Sequence, residues 1–598
     1  MKFFEHANYR VLPFKEYKLF SDLNKTPADI PAAKQKVLIE RAKQMAGKTI
    51  PVLPASLYRE FTINGNRTNF QALYFERRER LIALTFGELF EKKSVYITEI
   101  IDLIWAICEE TSWVIPAHNV AKDQSLLSKP LPDVFDDNIV AIDLFSAATG
   151  ATLAWVFYLI GDRIDTEIPE IIRERVEYEL NRRIIKPYLT YTMRWITEFV
   201  NNWTPWIVSN VLSVTALAVR DTAAREAVVK RSLEFLDIFT ETYDDDGGCD
   251  EGAGYWVAAG AAWLDALEQL YDMTGGDINI FGHEFTRRVG EYIMNVNIGG
   301  KKFVTFADAH FKLNSFDFGV VYRYGKRVNS ERLKSFAAEH LDNETVITES
   351  NLNFFMYRFV KNLVQKIEPP TGYIPPETAY YDGMQLGVMR GKHLFTAFKG
   401  GHNNESHNHN DVGSFIVYFD EEPWLIDVGV GTYTRDTFSE NRYKIWTMQS
   451  SWHNLPEIDG ETQHNGGEYK ADKFTFDEDK KTAFVSYPDA YEKGADVKVC
   501  TREWIFDGDV LIVKDYIVCE NPTEVCWNFM LRDKPELTES GFSLNGHTLA
   551  ADIPIKIIVE SKELNDESLK KDWNRDYLYR VKIITENKKE HLIAFEIQ

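Results

Sequence analysis

The feature that most limits the fold of this chain is a proline-rich segment at residues 368–377. It holds four prolines, and because proline fixes φ and removes a backbone donor, no helix crosses it. Before this segment apolar residues recur at helical spacing, and after it the period changes to two. The chain is therefore predicted to have a helical domain over 1–367, a linker over 368–377 and a β domain over 378–598.

The first part predicts helical hairpins stacked side by side. Residues 172–184 carry an apolar side chain at every fourth position, between Pro169, a good first-turn residue, and Pro187, which is expected to close the helix. Similar spacing runs through four later segments, 206–219, 227–239, 255–271 and 285–296. Consecutive helices with short connections pack as antiparallel pairs, so an (α/α) toroid of helical hairpins is the expected architecture.

The second part predicts an antiparallel β-sandwich. Apolar residues alternate in eight short runs, 385–389, 394–398, 415–419, 424–428, 483–487, 504–506, 510–517 and 525–531. Asp507 and Gly508 stand between two of these runs, and this dipeptide is typical of a tight hairpin. Strands joined in this way form antiparallel sheets that bury one face against each other.

Charge and composition exclude several classes of partner. A net charge of −23 argues against nucleic acid, which needs a basic footprint. No secretion-type leader is found at Met1–Arg10, and no stretch approaches the ~18 apolar residues of a membrane helix. We therefore expect a cytoplasmic protein without nucleic-acid or membrane partners. A homo-oligomer is left open.

A cluster of ionisable side chains at residues 402–411 holds three histidines and two carboxylates. An apolar run at 414–419 follows, so the cluster is expected at a strand edge, with His407, His409 and Asp411 on one face. Unpaired ionisable groups are costly to bury, so such a concentration indicates a metal site, an acid–base site, or both.

Two further residues complete a candidate metal site with His409. Asp427 is the only charge in the apolar run 424–429, and His453 follows later in the same domain. Two imidazoles and one carboxylate form a ligand set that suits Zn²⁺ or Mn²⁺. A hydrogen-bonded Asp–His pair in the core, without a metal, is the alternative.

Two loops in the helical part add candidates for ligand binding. An acid- and glycine-rich loop at 244–254 leads to Tyr255, and the run 201–206 enters another helix with Asn202 and two tryptophans. Helix N-termini favour anionic ligands, and amides with indoles suit a carbohydrate. Capping and packing are the alternative roles. An anionic ligand could pair with basic residues near the histidine cluster, which are Arg390, Lys399, Arg435, Arg442 and Lys444.

The order of these motifs resembles the heparinase II/III superfamily of polysaccharide lyases, whose members join an α/α toroid to an antiparallel β-sandwich and cleave uronic-acid polysaccharides. The resemblance covers most of the chain and is most specific from residue 400 to about 460. It implies that Asn202 neutralises the substrate carboxylate and that Tyr255 and His407 transfer protons. Some relatives have a histidine where this chain has Trp203, so a route through that imidazole is not expected.

The resemblance also implies a structural divalent cation and an anionic oligosaccharide substrate. The metal ligands would be His409, Asp427 and His453, with zinc favoured and manganese or calcium as alternatives. The residues expected to contact substrate are Trp203, Trp206, His402, Glu405, Arg435 and Tyr443.

The predicted function is β-elimination of a glycosaminoglycan such as heparan sulfate, chondroitin or hyaluronan. Removing H5 of a uronate requires its carboxylate to be neutralised, and a phenol or an imidazole can transfer the protons. Which of Tyr255 and His407 is the base stays open. The alternatives are an alginate-type oligouronate lyase, a metal-dependent glycan hydrolase that activates water, and a carbohydrate-binding protein without catalytic activity.

Overall fold

The computed structural model describes residues 1–119, 142–168, 170–314, 316–341, 354–492 and 496–598. The chain divides into two compact units. The first, the helical unit, comprises Met1–Tyr243, Val257–Gly290 and Ser315–Tyr373. The second, the β unit, comprises Asp244–Trp256, Glu291–Asn314 and Ile374–Gln598. The β unit thus includes two segments that come from the predicted helical domain, 1–367.

Helices make up most of the described chain before residue 368. In chain order they are Ala32–Met45, Ala55–Asn64, Thr68–Glu91, Ile97–Cys108, Leu144–Glu167, Ile171–Leu180, Lys186–Thr190, Arg194–Thr197, Trp203–Ala218, Thr222–Glu241, Ala253–Trp256, Gly260–Met273, Glu284–Asn295, Phe318–Arg327, Glu331–His340 and Met356–Val364. The predicted helices are all present, although the segment 255–271 is interrupted before Gly260.

The predicted end of one helix at Pro187 is wrong. Ile171–Leu180 continues through a π-helical turn at Asn181–Ile185 into Lys186–Thr190. Pro187 lies just after the π-helical turn, so its missing N–H removes one hydrogen bond of the helix without ending it. Pro169 lies outside the described residues.

The helix Leu144–Glu167 forms part of the core of the helical unit. Contrary to the expectation from sequence, it is long and apolar enough to cross a membrane by length and composition alone. However, 78% of the 18-residue apolar stretch of this helix is buried inside the protein, which is typical of a core helix. Asp143 caps its N-terminus by accepting a hydrogen bond from the backbone N–H of Ser146.

A buried network of ion pairs joins three helices of the helical unit. The carboxylate of Glu268 is fully buried and lies 2.8 Å from Arg323 Nε, 2.8 Å from Arg327 Nε and 3.2 Å from Lys361 Nζ. Burial alone would raise the pKa of Glu268, but the charges of Lys361, Arg323 and Arg327 lower it to about 2. The carboxylate therefore stabilises the fold at neutral pH, and this contribution is lost as the pH falls below the ordinary carboxyl range towards about 2.

We expect Glu268→Gln to lower the free energy of unfolding of the protein by about 3–5 kcal/mol, because three buried cations lose the carboxylate that they share and keep only Asp265 and Asp22. Urea denaturation at neutral pH measures the loss. The matched control is Glu284→Gln, which breaks exposed pairs with Arg287 and Arg288 and should cost about 1 kcal/mol or less. Equal losses in the two variants would contradict a stabilising role for the buried network.

The β unit consists of antiparallel sheets, as predicted. A five-stranded sheet has the order Thr378–Tyr381, Leu386–Arg390, Leu394–Lys399, Phe415–Phe419, Glu422–Leu425. An eight-stranded sheet has the order Lys473–Asp477, Thr482–Ser486, Val497–Asp507, Val510–Thr523, Lys588–Ile597, His547–Ala551, Gly541–Leu544, Glu536–Leu537. A four-stranded sheet has the order Lys556–Glu563, Tyr577–Ile584, Val525–Leu531, Pro456–Ile458.

Two short ladders, a helix and a shared core complete this unit. The ladders pair Asn297–Gly299 with Lys302–Phe303 and His402–Asn403 with Gly466–Lys470. The helix is Glu567–Trp573.

Side chains from the sheets of the β unit meet in one core. Trp504 stacks on Phe398 with ring centroids 4.8 Å apart. The predicted hairpin is confirmed, since Asp507 pairs with Val510 and Gly508 has φ +64°, a value that glycine adopts without strain.

Candidate active site and metal site

The centre of the candidate site is Asp308, whose side chain is fully buried in the β unit. Its Oδ2 lies 2.8 Å from His407 Nδ1 and accepts a hydrogen bond of 3.0 Å from Tyr433 Oη. Its Oδ1 lies 3.2 Å from His409 Nε2 and accepts a hydrogen bond of 2.7 Å from Arg442 Nη2. One carboxylate therefore contacts both histidines that the sequence assigns to different roles.

The charge of Asp308 fixes the orientation of these partners. Burial acts to raise its pKa, but hydrogen bonds from His407 and His409 and the charge of Arg442 lower the pKa far below the usual range. An ionised carboxylate only accepts hydrogen bonds, so His407 Nδ1 and His409 Nε2 carry the protons that face it. The other ring nitrogens, His407 Nε2 and His409 Nδ1, then point away from Asp308.

The three predicted metal ligands lie together and are all buried. His409, Asp427 and His453 each offer one ligand atom within 4.8 Å of the others. The apolar run 424–428 predicts that Asp427 lies within a strand, but the strand is Glu422–Leu425 and Asp427 follows its end. His453 Nδ1 lies 3.0 Å from Asp427 Oδ2.

The hydrogen-bond partners of these side chains are compatible with a bound cation. His453 Nε2 lies 3.1 Å from the carbonyl oxygen of Thr447. Burial acts to lower the pKa of His453, but the charge of Asp427 and the hydrogen bond with it raise that pKa. Without a cation His453 Nδ1 therefore keeps a proton that faces Asp427, and a bound cation would take the place of that proton. His409 Nδ1 is buried and has no hydrogen-bond partner in the described part of the chain. With that proton displaced, two imidazole nitrogens and a carboxylate would converge on one point, and this set of atoms suits a divalent metal such as zinc.

Tyr255 lies beside His407 in the β unit. Its ring stacks on the imidazole with centroids 4.5 Å apart, and its Oη is 2.7 Å from Tyr433 Oη. Burial, together with the charges of Tyr255 and Asp308, raises the pKa of Tyr433, so this phenol stays protonated. Because Tyr433 donates its proton to Asp308, its oxygen accepts the proton of Tyr255.

His407 faces a carboxylate from each side of its ring. Besides Asp308 at Nδ1, Glu251 Oε2 lies 3.5 Å from His407 Nε2. Burial acts to lower the pKa of His407, but the hydrogen bond with Asp308 and the charge of Glu251 raise it above the ordinary value. The environment therefore favours the imidazolium form.

The predicted strand edge at the histidine cluster is wrong. The strand begins only at Phe415, and His407 has φ +56°, a left-handed value that no strand contains. His407 and His409 come together through Asp308 and not through strand alternation. Asp411 does not join them, because it lies 2.8 Å from Lys399 Nζ.

Several residues expected to contact substrate also have hydrogen-bond partners within the loop of the cluster. Glu405 accepts hydrogen bonds from Lys399 Nζ at 3.0 Å and from the backbone N–H of His402 at 3.1 Å. Tyr443 Oη donates to Asn408 Oδ1 at 2.7 Å. His402 Nδ1 likewise accepts a backbone N–H from its own loop. These residues are committed to contacts within the β unit.

The basic residues near the cluster differ in whether they have partners within the protein. Lys399, Arg442 and Arg390 are committed to contacts within the protein, the last through the carbonyl oxygen of Asn295 at 2.7 Å. Arg435 is exposed. Arg435 is thus better placed than these three to pair with an anionic ligand.

Asn202, Trp203 and Trp206 belong to the helical unit. Asn202 is buried and immediately precedes the helix that begins at Trp203. Trp203 is half-buried, with its ring 4.6 Å from that of His118, and Trp206 packs at 4.6 Å against Phe355.

Three residues of the site were not predicted from sequence: Asp308, Tyr433 and Glu251. A signal for Asp308 exists, because it is the only charged residue in the otherwise apolar run 303–309, and the same reasoning singled out Asp427. Glu251 lies in the acid- and glycine-rich loop 244–254, which the sequence singles out as a whole, whereas Tyr433 has no comparable signal in its neighbouring sequence.

Comparisons with known proteins support the fold. Residues 375–589 match the family model described as Heparinase II/III-like, C-terminal. A heparinase III structure aligns with a TM-score of 0.62 at 13% identity and covers 98% of this chain and 93% of that chain. A heparan sulfate lyase from Pedobacter heparinus aligns with a TM-score of 0.61 at 11% identity, covering 98% and 85%.

A xanthan lyase from Paenibacillus also aligns, with a TM-score of 0.56 at 10% identity, covering 95% of this chain and 57% of that chain. No curated protein sequence matches this chain. The predicted fold class, a helical toroid followed by an antiparallel β-sandwich, is confirmed. The relatives differ in the glycans named for them, so the fold alone does not decide the substrate.

Proposed function

We propose that the chain is a member of the heparinase II/III superfamily of polysaccharide lyases and that it cleaves uronic-acid-containing oligosaccharides by β-elimination. We favour glycosaminoglycan fragments, such as those of heparan sulfate, chondroitin or hyaluronan. The observation that carries the proposal is the chain of hydrogen bonds from Tyr255 through Tyr433 to the ionised Asp308, with His407 stacked beside it.

Tyr255 would carry out the proton transfers. Tyr255 would first lose its phenolic proton to solvent. The phenolate oxygen then takes H5, the electrons of the C5–H bond form the C4=C5 double bond, and the C4–O4 bond breaks with its electron pair on O4. The proton on Tyr255 then passes to the departing O4, which regenerates the phenolate. The hydroxyl of Tyr433 can rotate its proton from Asp308 to Tyr255, so it can stabilise the phenolate without movement of either ring.

His407 would contribute charge instead of acting as the base. Both of its ring nitrogens face carboxylates, Asp308 and Glu251, and a histidine held in this way is a poor proton acceptor. The positive charge of the His407 imidazolium stabilises the phenolate of the stacked Tyr255 and the negative charge that develops on the substrate. This assigns the base to Tyr255, the choice that the sequence leaves open.

Neutralisation of the substrate carboxylate is proposed for Asn202, as the resemblance implies. A side-chain amide can donate two hydrogen bonds to a carboxylate without adding charge. We expect Asn202→Ala to lower kcat more than it raises KM, because the charge on the carboxylate increases as H5 is removed.

A divalent cation, with zinc favoured over manganese or calcium, would be held by His409, Asp427 and His453. When bound, it supplies positive charge that offsets the buried carboxylate of Asp427. His409 is then fixed from both ring nitrogens, and through Asp308 it holds the His407 loop in position. The proposed role is structural, because β-elimination needs no metal-bound water.

We expect the purified protein to contain about one equivalent of divalent metal, since three buried acceptor groups converge there. Elemental analysis by mass spectrometry measures it. His453→Ala should lose the metal and lower the thermal midpoint, whereas His393→Ala, which removes an exposed histidine paired with Asp420 elsewhere in the β unit, should retain the metal. A protein without metal that takes up neither zinc nor manganese would favour the hydrogen-bonded Asp427–His453 pair.

The test of the reaction is a screen of defined uronate oligosaccharides with two readouts. β-Elimination gives a conjugated unsaturated uronate, seen as a rise in ultraviolet absorbance, and its products sum to the mass of the substrate. Hydrolysis gives no rise and adds one water to the summed mass. No absorbance change with heparan sulfate, chondroitin, hyaluronan or alginate fragments would refute the lyase proposal, and a rise with alginate alone would correct the substrate.

A further inference from the structure

Two tryptophans and a lysine form a cluster on the β unit that the proton-transfer site does not use. The rings of Trp446 and Trp452 are 4.9 Å apart and meet edge to face at 77°. Lys562 Nζ lies 5.2 Å from each ring centroid. We propose that this cluster, the Trp446–Trp452–Lys562 platform, is a subsite that binds an acidic sugar residue of the oligosaccharide. The choice of ligand class rests on the proposed function.

The strands beneath the platform explain how it is held. Lys556–Glu563 pairs antiparallel with Tyr577–Ile584, and this register places Glu560 opposite Arg580. The guanidinium of Arg580 lies 4.0 Å over the ring of Trp452, and it also bonds Glu560 and the carbonyl oxygen of Ser451. Arg580 is thus committed to fixing the indole of Trp452.

Lys562 differs from Arg580 in its partners. No carboxylate of the described chain lies within ion-pair distance of Lys562 Nζ, although Glu560 stands two residues earlier on the same face of the strand. Glu560 pairs with Arg580 and lies 3.7 Å from Lys582. The ammonium is therefore held above two aromatic rings and keeps its capacity to pair with an anion.

The chemistry of this platform matches an acidic sugar. A half-buried indole offers an apolar face for the C–H groups of a pyranose ring, and its N–H can donate to a hydroxyl. An ammonium beside it pairs with a carboxylate or a sulfate. A neutral sugar would use the indoles alone, so discrimination between acidic and neutral oligosaccharides is the property that identifies this subsite.

The platform is connected in sequence to the candidate active site. Arg442, which bonds Asp308, lies four residues before Trp446, and the metal ligand His453 directly follows Trp452. Short 3-10 turns connect them at Arg442–Lys444, Trp446–Met448 and Ser450–Trp452. An oligosaccharide residue bound at the platform would therefore contact the same segment that holds Asp308 and His453.

The test measures equilibrium binding of hexasaccharides by calorimetry. It uses the full-length, metal-loaded protein carrying Tyr255→Phe, so that the ligand is not cleaved. Probes are a hyaluronan hexasaccharide, a heparan sulfate hexasaccharide and the neutral cellohexaose. We expect Lys562→Gln to weaken binding of an acidic probe about fivefold, and Trp446→Ala to weaken it about tenfold. The matched control is Lys473→Gln, because Lys473 also sits over an aromatic ring, that of Phe484 at 5.7 Å.

The outcomes separate this proposal from the proposed reaction. Three results would overturn the subsite: unchanged binding in Lys562→Gln, an equal loss of binding in Lys473→Gln, or no binding of any acidic probe. None of them decides whether the protein is a lyase, because the absorbance assay measures that separately. Loss of acidic-probe binding in Lys562→Gln, with cellohexaose unaffected, supports the subsite even where no uronate is cleaved. Trp446→Ala is interpreted only if its circular dichroism matches the parent, whereas Lys562→Gln removes only a half-buried charge.

Discussion

Replacement of Tyr255 by phenylalanine is expected to lower kcat/KM for uronate oligosaccharides by about 10²- to 10⁴-fold, the usual contribution of a group that transfers a proton in the transition state. The change removes the Oη that lies 2.7 Å from Tyr433 and keeps the ring that stacks on His407. The fold and the position of His407 should therefore be retained. The initial rise in ultraviolet absorbance of the unsaturated product measures the effect.

Two companion variants make this prediction specific. Tyr433→Phe keeps the phenol of Tyr255 but removes its hydrogen-bond partner, so we expect a smaller loss, about tenfold. Tyr516→Phe removes a hydroxyl that bonds Glu590 elsewhere in the β unit, and it should leave the rate unchanged. If Tyr255→Phe retains more than a tenth of the parental rate while Tyr433→Phe is impaired, Tyr255 is not the group that takes H5.

The division into helical and antiparallel β parts could be predicted because it depends on local periodicity. A helix buries every third or fourth side chain and a strand every second, so the pattern of burial is present in each short stretch of sequence. The proximity of the candidate metal ligands could be predicted for a related reason. Asp427 and His453 are ionisable groups next to apolar residues, and the cost of burying them is visible locally.

The remainder of the site depends on contacts between residues far apart in the chain. Asp308 is 99 residues from His407 and 125 from Tyr433, and no local pattern determines which side chain it meets. The same is true of Asp244–Trp256, which precedes the linker by more than a hundred residues yet belongs to the β unit. The loop of the cluster was predicted as a strand edge because the apolar run 414–419 follows it, whereas contacts of its side chains with Asp308 and Lys399 hold its conformation.

Asp308→Asn is expected to impair catalysis, metal binding and stability together, because one carboxylate serves His407, His409, Tyr433 and Arg442. The amide keeps the shape of the side chain, but it removes the charge and presents a donor to groups that are themselves donors. We expect kcat/KM to fall at least about 10²-fold and metal affinity to fall about 10- to 100-fold. The unpaired guanidinium should lower the free energy of unfolding by about 3–5 kcal/mol.

Three measurements on one preparation test whether these losses have a common origin: turnover, metal retained after dialysis against a chelator, and unfolding in urea. The matched control is Asp572→Asn, which removes a carboxylate 2.6 Å from the partly exposed His310 in the same unit and should change none of the three. Loss of turnover with full metal retention would show that Asp308 acts on His407 alone. Loss of metal with normal turnover would separate the cation from the proton-transfer site. Only the combined loss supports a single carboxylate that orients His409 towards the metal and His407 towards the substrate.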